Sequence, residues 1–164
     1  MPLELEKVVK DFMHPLKDYR YIGENEPVRN VLRFITGDEN ERKSPFVIVV
    51  SDSGEEQGTA RGFISPPEIV FGIARHFFKG AERIGPIFWE GQLRAECIQA
   101  FRKKIGEIMT PFKTCISESE MIMEAIFLFN RHQINSLPVV RQKEVVGILH
   151  LEDILLGIAE MVSE

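Results

Sequence analysis

The sequence predicts an α/β (α+β) fold made of two β-α-β-β-α repeats, and three observations carry that prediction. The chain repeats itself: "VKDFMHP", ending at Pro15, is echoed by "IGEIMTP", ending at Pro111; "YIGENEPVRNVLRF" from Tyr21 by "CISESEMIMEAIFL" from Cys115; "VIVVSD" from Val47 by "LPVVRQ" from Leu137; and "GFISPPEIV" from Gly62 by "GILHLEDIL" from Gly147. The offset between copies falls from 96 through 94 and 90 to 85 residues, so the first copy carries the extra length, chiefly in the polar, glycine-containing loop "SDSGEEQGTAR". Each copy alternates short β-rich runs with apolar stripes at helical spacing. Finally, a long connection from about Phe77 to Lys104 separates the copies, far longer than the few residues that join most elements.

The elements of the second copy follow in order. Thr114 to Ile116 reads as a short strand. Ser117-x-x-Glu120 has the pattern of a capping box, and Met121, Ala125, Leu128 and Phe129 supply the stripe of the helix after it. Leu137 to Val140 and Val145 to Leu149 are β-rich runs on either side of "RQKE", which reads as a hairpin turn. From His150 to Met161, Leu151, Ile154, Leu155 and Ile158 stand at helical spacing. The first copy has its own capping box in "SPPE": Ser65 at the cap, Pro66 at the first helical position, where its missing N–H is not needed, and Glu68 placed to reach back.

In the connection, Gly85-Pro86 interrupts the chain, and Trp89, Leu93, Ile98, Phe101 and Ile105 then fall close to helical spacing. A loop followed by an amphipathic helix is expected, its stripe packed either on the protein's own repeats or on another subunit through Trp89 and Phe101. The expected division is repeat 1 at 1–76, the connection at 77–104 and repeat 2 at 105–164. Neither repeat buries a generous core alone, so the two are expected to pack as a pseudo-twofold pair through their sheets.

Composition excludes several function classes. With 25 acidic against 20 basic residues the net charge is -5, which argues against nucleic acid as a partner; the short basic run Arg102-Lys103-Lys104 reads as a solvated helix end. Cys97 and Cys115 lack metal-ligand spacing, and reduced thiols in a cytoplasmic protein are expected. "MPLELEKVVKD" has no signal-peptide apolar core, and no run approaches the roughly 18 apolar residues of a membrane span.

The succession "IMTP", "LPVV", "GILHLEDIL", present twice, resembles the cystathionine β-synthase (CBS) domain, and the tandem resembles a stand-alone CBS pair, or Bateman module. The resemblance spans nearly the whole chain except part of the connection. It implies a cleft between the copies that takes an adenosine-containing regulatory ligand such as AMP, ADP, ATP or S-adenosylmethionine, with no cofactor required. It also implies a homodimer, since such modules commonly associate into a flat disc, and an effector protein that reads the ligand state. The alternative is an interaction or dimerisation module with empty, degenerate clefts.

Candidate site residues follow from this resemblance and from chemistry. Two vicinal ribose hydroxyls are met by the two oxygens of a carboxylate at a strand–helix junction. The family's pattern for that role is Gly, two apolar residues, Ser or Thr, two variable residues, then Asp. The second copy matches with Gly147, Ile148, Leu149 and Asp153, with His150 in place of the hydroxyl. The first copy keeps Ser65 but has Glu68 at the acidic position. Asp153 and Glu68 are equally placed to complement a helix N-terminus, which leaves both readings open. The adenine slot is expected at Thr114, Ile116, Pro138 and Val139, with Arg20, Ile22, Ile48 and Val49 as first-copy counterparts. Ahead of the "LPV" strand, where nucleotide-sensing relatives carry cations, stand the uncharged Asn135 and Ser136; Arg131, His132, Arg42 and Lys43 are the nearest candidates for a phosphate.

Enzyme chemistry is not expected. His14, His76, His132 and His150 form no paired metal motif, no Gly-x-Ser-x-Gly or phosphate-loop pattern occurs, and neither cysteine has a nucleophile's neighbours. His150 reads as a cap or lining residue.

Overall fold

The apolar runs become strands and the striped segments become helices. The computed structural model describes residues 7–36, 45–77 and 90–163. In chain order it has β1 (His14–Pro15), β2 (Tyr21–Gly23), α1 (Arg29–Thr36), β3 (Val47–Val50), β4 (Ala60–Ile64), α2 (Pro66–Phe77), α3 (Gln92–Ala100), α4 (Ile105–Ile108), β5 (Thr110–Pro111), β6 (Ile116–Ser117), α5 (Ile122–His132), β7 (Ser136–Arg141), β8 (Glu144–His150) and α6 (Leu151–Val162). Two compact units result: residues 1–18 with 112–164, called unit 1, and residues 19–111, called unit 2.

Unit 1 carries a four-stranded sheet in the order β1-β8-β7-β6. Strands β6 and β7 are parallel, as a helical crossover through α5 requires, and β7 and β8 are an antiparallel hairpin. Its turn residues, Gln142 and Lys143, both have positive φ, 51° and 68°; that left-handed pair matches the twist of the strands it joins. One sheet face and the helices enclose Val9, Ile116, Ala125, Phe129, Leu137, Val139, Leu149 and Ile154. Unit 2 repeats the plan with β2-β3-β4-β5, parallel between β2 and β3 and antiparallel thereafter. Its core holds Ile22, Val28, Val31, Val47, Val49, Ile64, Ile69 and Ile105 among others.

Both sheets are completed by an arm from the start of the other repeat. Residues 8–15, at the start of repeat 1, dock in unit 1, and residues 104–111, at the start of repeat 2, dock in unit 2. The two dockings match bond for bond. Val9 and Lys10 N–H donate to the carbonyls of Glu120 and Glu118, while Ile105 and Gly106 N–H donate to those of Glu26 and Glu24. Asp11 accepts from Val8 N–H at 3.0 Å and Glu107 from Lys104 N–H at 2.9 Å. Val9 and Ile105 are fully buried, each worth about 1.5–3 kcal/mol of transfer free energy. The arms run so close to β8 and β4 that a side chain there is excluded: a Cβ on Gly147 would stand 2.6 Å from the His14 carbonyl oxygen, and one on Gly62 would collide with that of Thr110. The sequence repeat is thus a unit of chain, whereas the compact unit is a unit of packing.

The cap expected at "SPPE" forms. Ser65 N–H donates to Glu68 Oε1 at 2.9 Å, and α2 begins at Pro66. Other expectations are corrected. Ser117 and Glu120 do not cap α5, which starts at Ile122 behind Met121 with no side-chain cap; Ser117 ends β6 and accepts from Ser119 N–H in a local turn, and the Glu120 carbonyl is taken by the arm. The connection does not run as one helix through Ile105. Helix α3 ends at Ala100, Phe101 caps it and packs on the unit 2 core, and Ile105 opens the separate α4. Leu93 and Ile98 are exposed, and the buried positions of α3 are Gln92 and Ala100. Trp89, Arg42 and Lys43 lie outside the described residues.

Candidate functional site

Asp153 occupies the third position of α6, directly after β8. From there its side chain can turn back on its own helix start, and Oδ2 accepts the His150 N–H at 3.0 Å. Oδ1 faces the arm and accepts from His14 Nε2 at 2.9 Å. Carboxylate and imidazole side chains are 14% and 46% exposed, so the bond lies at the rim of the unit. His150 Nδ1 is 2.8 Å from Ser136 Oγ, and the His14 and His150 rings lie 5.9 Å apart. Burial pushes the His150 pKa below its ordinary 6.5 and outweighs the pull of the Asp153 charge; His14 pushes the same way and Glu152 opposes it. His150 is thereby held as neutral imidazole and not as a cation.

The same arrangement recurs in unit 2 with different chemistry. Glu68 Oε1 accepts Ser65 N–H and also the Ser65 hydroxyl, and Oε2 accepts the Thr110 hydroxyl at 3.1 Å. Thr110 therefore stands where His14 stands, Ser65 where His150 stands, and Glu68 where Asp153 stands. One imidazole, that of His14, holds the carboxylate of unit 1 beside its helix-start N–H, and two hydroxyls hold that of unit 2 beside the corresponding N–H.

Strand register sorts the remaining expected residues. Ile116, Val139 and Gly147 are directly opposed across β6, β7 and β8. The side chains of Ile116 and Val139 point into the core of unit 1, leaving only their backbone for a ligand. Ser136 pairs with His150, and Pro138 with Ile148, which pairs in turn with His14; strand alternation puts these on the other face. Asp153, His150 and Pro138 are thus brought together, joined by Ser136 and His14. Thr114 is half-buried just ahead of β6. Ile22 opposes Val49 within the unit 2 core, and the Arg20 guanidinium lies over the Phe34 ring at 5.4 Å. The Asn135 carbonyl accepts the Leu151 N–H at the start of α6, and Arg131 sits over Phe127 at 5.9 Å.

His14 and Thr110 were not selected from the sequence. Their signal was there: the polar residue before proline in "MHP" and "MTP" is duplicated with the repeat, but nothing local ties it to a carboxylate so far along the chain. Among the described residues no group of three or more His, Cys, Asp or Glu side chains is arranged to hold a metal ion. No helix among them is long and apolar enough to cross a membrane.

Residues 105–160 match the family model of the CBS domain. The whole chain is similar to solved CBS pairs. CBSX2 from Arabidopsis thaliana is 18% identical, with 98% of this chain and 99% of that chain covered and a TM-score of 0.65; CBSX2 has also been solved in complex with AMP (19%, 94% and 97%, TM-score 0.63). The CBS domain pair of protein MJ0100, in complex with 5′-methylthioadenosine and S-adenosyl-L-methionine, is 20% identical, with 96% and 99% covered and a TM-score of 0.64. No curated protein sequence matches the chain. The fold is that of a CBS pair.

Proposed function

We propose that this chain, with a CBS domain at residues 105–160, is a non-catalytic regulatory module that binds an adenosine-containing ligand at the β8–α6 junction of unit 1. The observation that carries this reading is the Asp153 carboxylate: it is fixed by its helix start, reaches the rim, and has lone pairs with which to meet two vicinal hydroxyl donors. Pro138, on the His150 face of the sheet, Thr114, and the backbone edges of Ile116 and Val139 supply the adenine slot in this reading, and neutral His150 lines it. Ser65, Glu68 and Ile22 form the corresponding set of unit 2. Glu68 already accepts three hydrogen bonds, which makes it the weaker half. Bound AMP in one solved CBS pair, and 5′-methylthioadenosine with S-adenosylmethionine in another, support the ligand class. Uncharged Asn135 and Ser136 favour AMP or S-adenosylmethionine over ADP and ATP.

A thermal-shift panel of AMP, ADP, ATP and S-adenosylmethionine tests the reading, since ligand at 100 times its dissociation constant adds about 2.7 kcal/mol. No shift with any of the four would sink it.

The second reading, an association module, rests on a separate observation. Leu151, Leu155, Ile158 and Val162 form one exposed stripe along α6, and Met123 and Phe127 are exposed on α5. Leaving so much apolar surface in water is costly unless it is covered. A second copy of this chain is the occupant we assign, giving a homodimer whose ligand state an effector protein reads. Cys97 and Cys115 as free thiols fit a cytoplasmic setting.

A further inference from the structure

On the reading that Asp153 takes the ligand's ribose hydroxyls, we propose that His14 competes with them for this carboxylate, which makes uptake of a ribonucleoside by unit 1 proton-linked. Oδ2 is committed to the start of α6, so Oδ1 is the oxygen a second hydroxyl needs, and His14 Nε2 lies 2.9 Å from it. His14 can leave without the arm leaving. Its ring is about half exposed, while the arm is held independently by buried Val9 and by the bonds of Val9 and Lys10 N–H to unit 1 carbonyls.

The duplicated site isolates what the imidazole adds. Thr110 makes the same contact to Glu68, but a hydroxyl keeps its charge state at every accessible pH. Histidine is the side chain that changes charge between pH 5 and 8, and an imidazolium holds a carboxylate more tightly than a neutral donor does. Among the described contacts, His150 from the end of β8 has its ring 5.9 Å from that of His14, and Glu152 from α6 acts on His150. Burial lowers the His150 pKa and favours its neutral form. A proton on His14 therefore tightens its hold on Asp153 and lowers ligand affinity, and its removal frees the carboxylate.

Adenosine is the probe, because it carries no group that titrates in this range. Its affinity for the full chain, measured by calorimetry from pH 5.5 to 8.0, is expected to rise about two- to fivefold, the range a half-exposed ion pair supports. His14→Thr, which installs the unit 2 chemistry, is expected to bind at least as tightly and with no such rise. A variant that keeps the wild-type slope would overturn the proposal, as would uniformly weaker binding, which would make His14 a ligand contact. If adenosine fails to bind at any pH, and Asp153→Asn behaves as wild type, the ribose reading fails instead. The proton-linked contact is then judged by amide exchange at Val9 and Lys10: protection relative to His14→Thr must increase as pH falls, and an unchanged ratio overturns it.

Discussion

His14 and Asp153, 139 residues apart in the chain, share a 2.9 Å hydrogen bond, and Thr110 and Glu68, 42 apart, share one of 3.1 Å. The two bonds are one contact made twice. In each, the polar residue before an arm proline meets the carboxylate that caps the helix following the strand hairpin of its unit, α6 after β8 and α2 after β4, so the candidate ligand group and the arm are tied by a single side chain.

Asp153→Asn is expected to lower adenosine-ligand affinity by roughly 10- to 100-fold, because truncating a charge-assisted contact costs about 1.5–3 kcal/mol. Stability should fall by about 0.5–2 kcal/mol through the weakened cap. Glu68→Gln should show the opposite balance, since Ser65 and Thr110 already use that carboxylate: a comparable stability loss with little change in affinity. Calorimetry and denaturant titration on both variants check this, and undiminished binding by Asp153→Asn would assign the residue to the helix alone.

Gly157→Ala should destabilise unit 1 despite Ala's better helix propensity, worth about 1 kcal/mol. A Cβ at Gly157 would run into the Phe12 ring of the arm, and overpacking of this kind typically costs about 1–3 kcal/mol. Shortening the ring in the double variant Phe12→Leu/Gly157→Ala should recover part of the loss. The matching change in unit 2, Gly72→Ala, meets Ile108 Cγ2 at 3.1 Å, a contact a side chain can relieve, so its net effect should lie within about 1 kcal/mol. Urea midpoints separate the two outcomes.

Stability should decline with acidification through His150. Its pKa is lowered on folding, by burial first, so the unfolded chain takes up the proton more readily than the folded one. This contribution is fully present above the unfolded value of 6.5 and is lost as the pH falls from there through the folded pKa. His150→Ser, which borrows the unit 2 residue, should flatten the melting temperature between pH 7.5 and 5.5; a slope as steep as wild type's would locate the linkage elsewhere.

Light scattering at tens of micromolar should return twice the monomer mass of 18.8 kDa. Leu155→Glu, placed within the exposed α6 stripe, should shift the protein to monomer by burying a charge in the contact. Monomeric wild type removes the homodimer, and a dimeric Leu155→Glu moves the contact off α6.

The duplicated motifs, the β-rich runs of β3, β7 and β8, the stripe of α6 and the Ser65–Glu68 cap were legible in the sequence, because each is decided by residues a few positions apart. Periodicity of 2 or 3.6 and a carboxylate three residues from its N–H are local geometry. Tertiary structure alone decided which repeat each arm completes, that Ile116 and Val139 turn into the core while Pro138 and Ile148 take the other face, and that His14 reaches Asp153. Both arms offer apolar residues at the same positions and end on the same proline, so either repeat reads as the partner of either arm. The choice is made by long-range strand pairing and close approach, at Gly147 under the His14 carbonyl and Gly62 under that of Thr110, and such contacts leave no periodic mark on the chain.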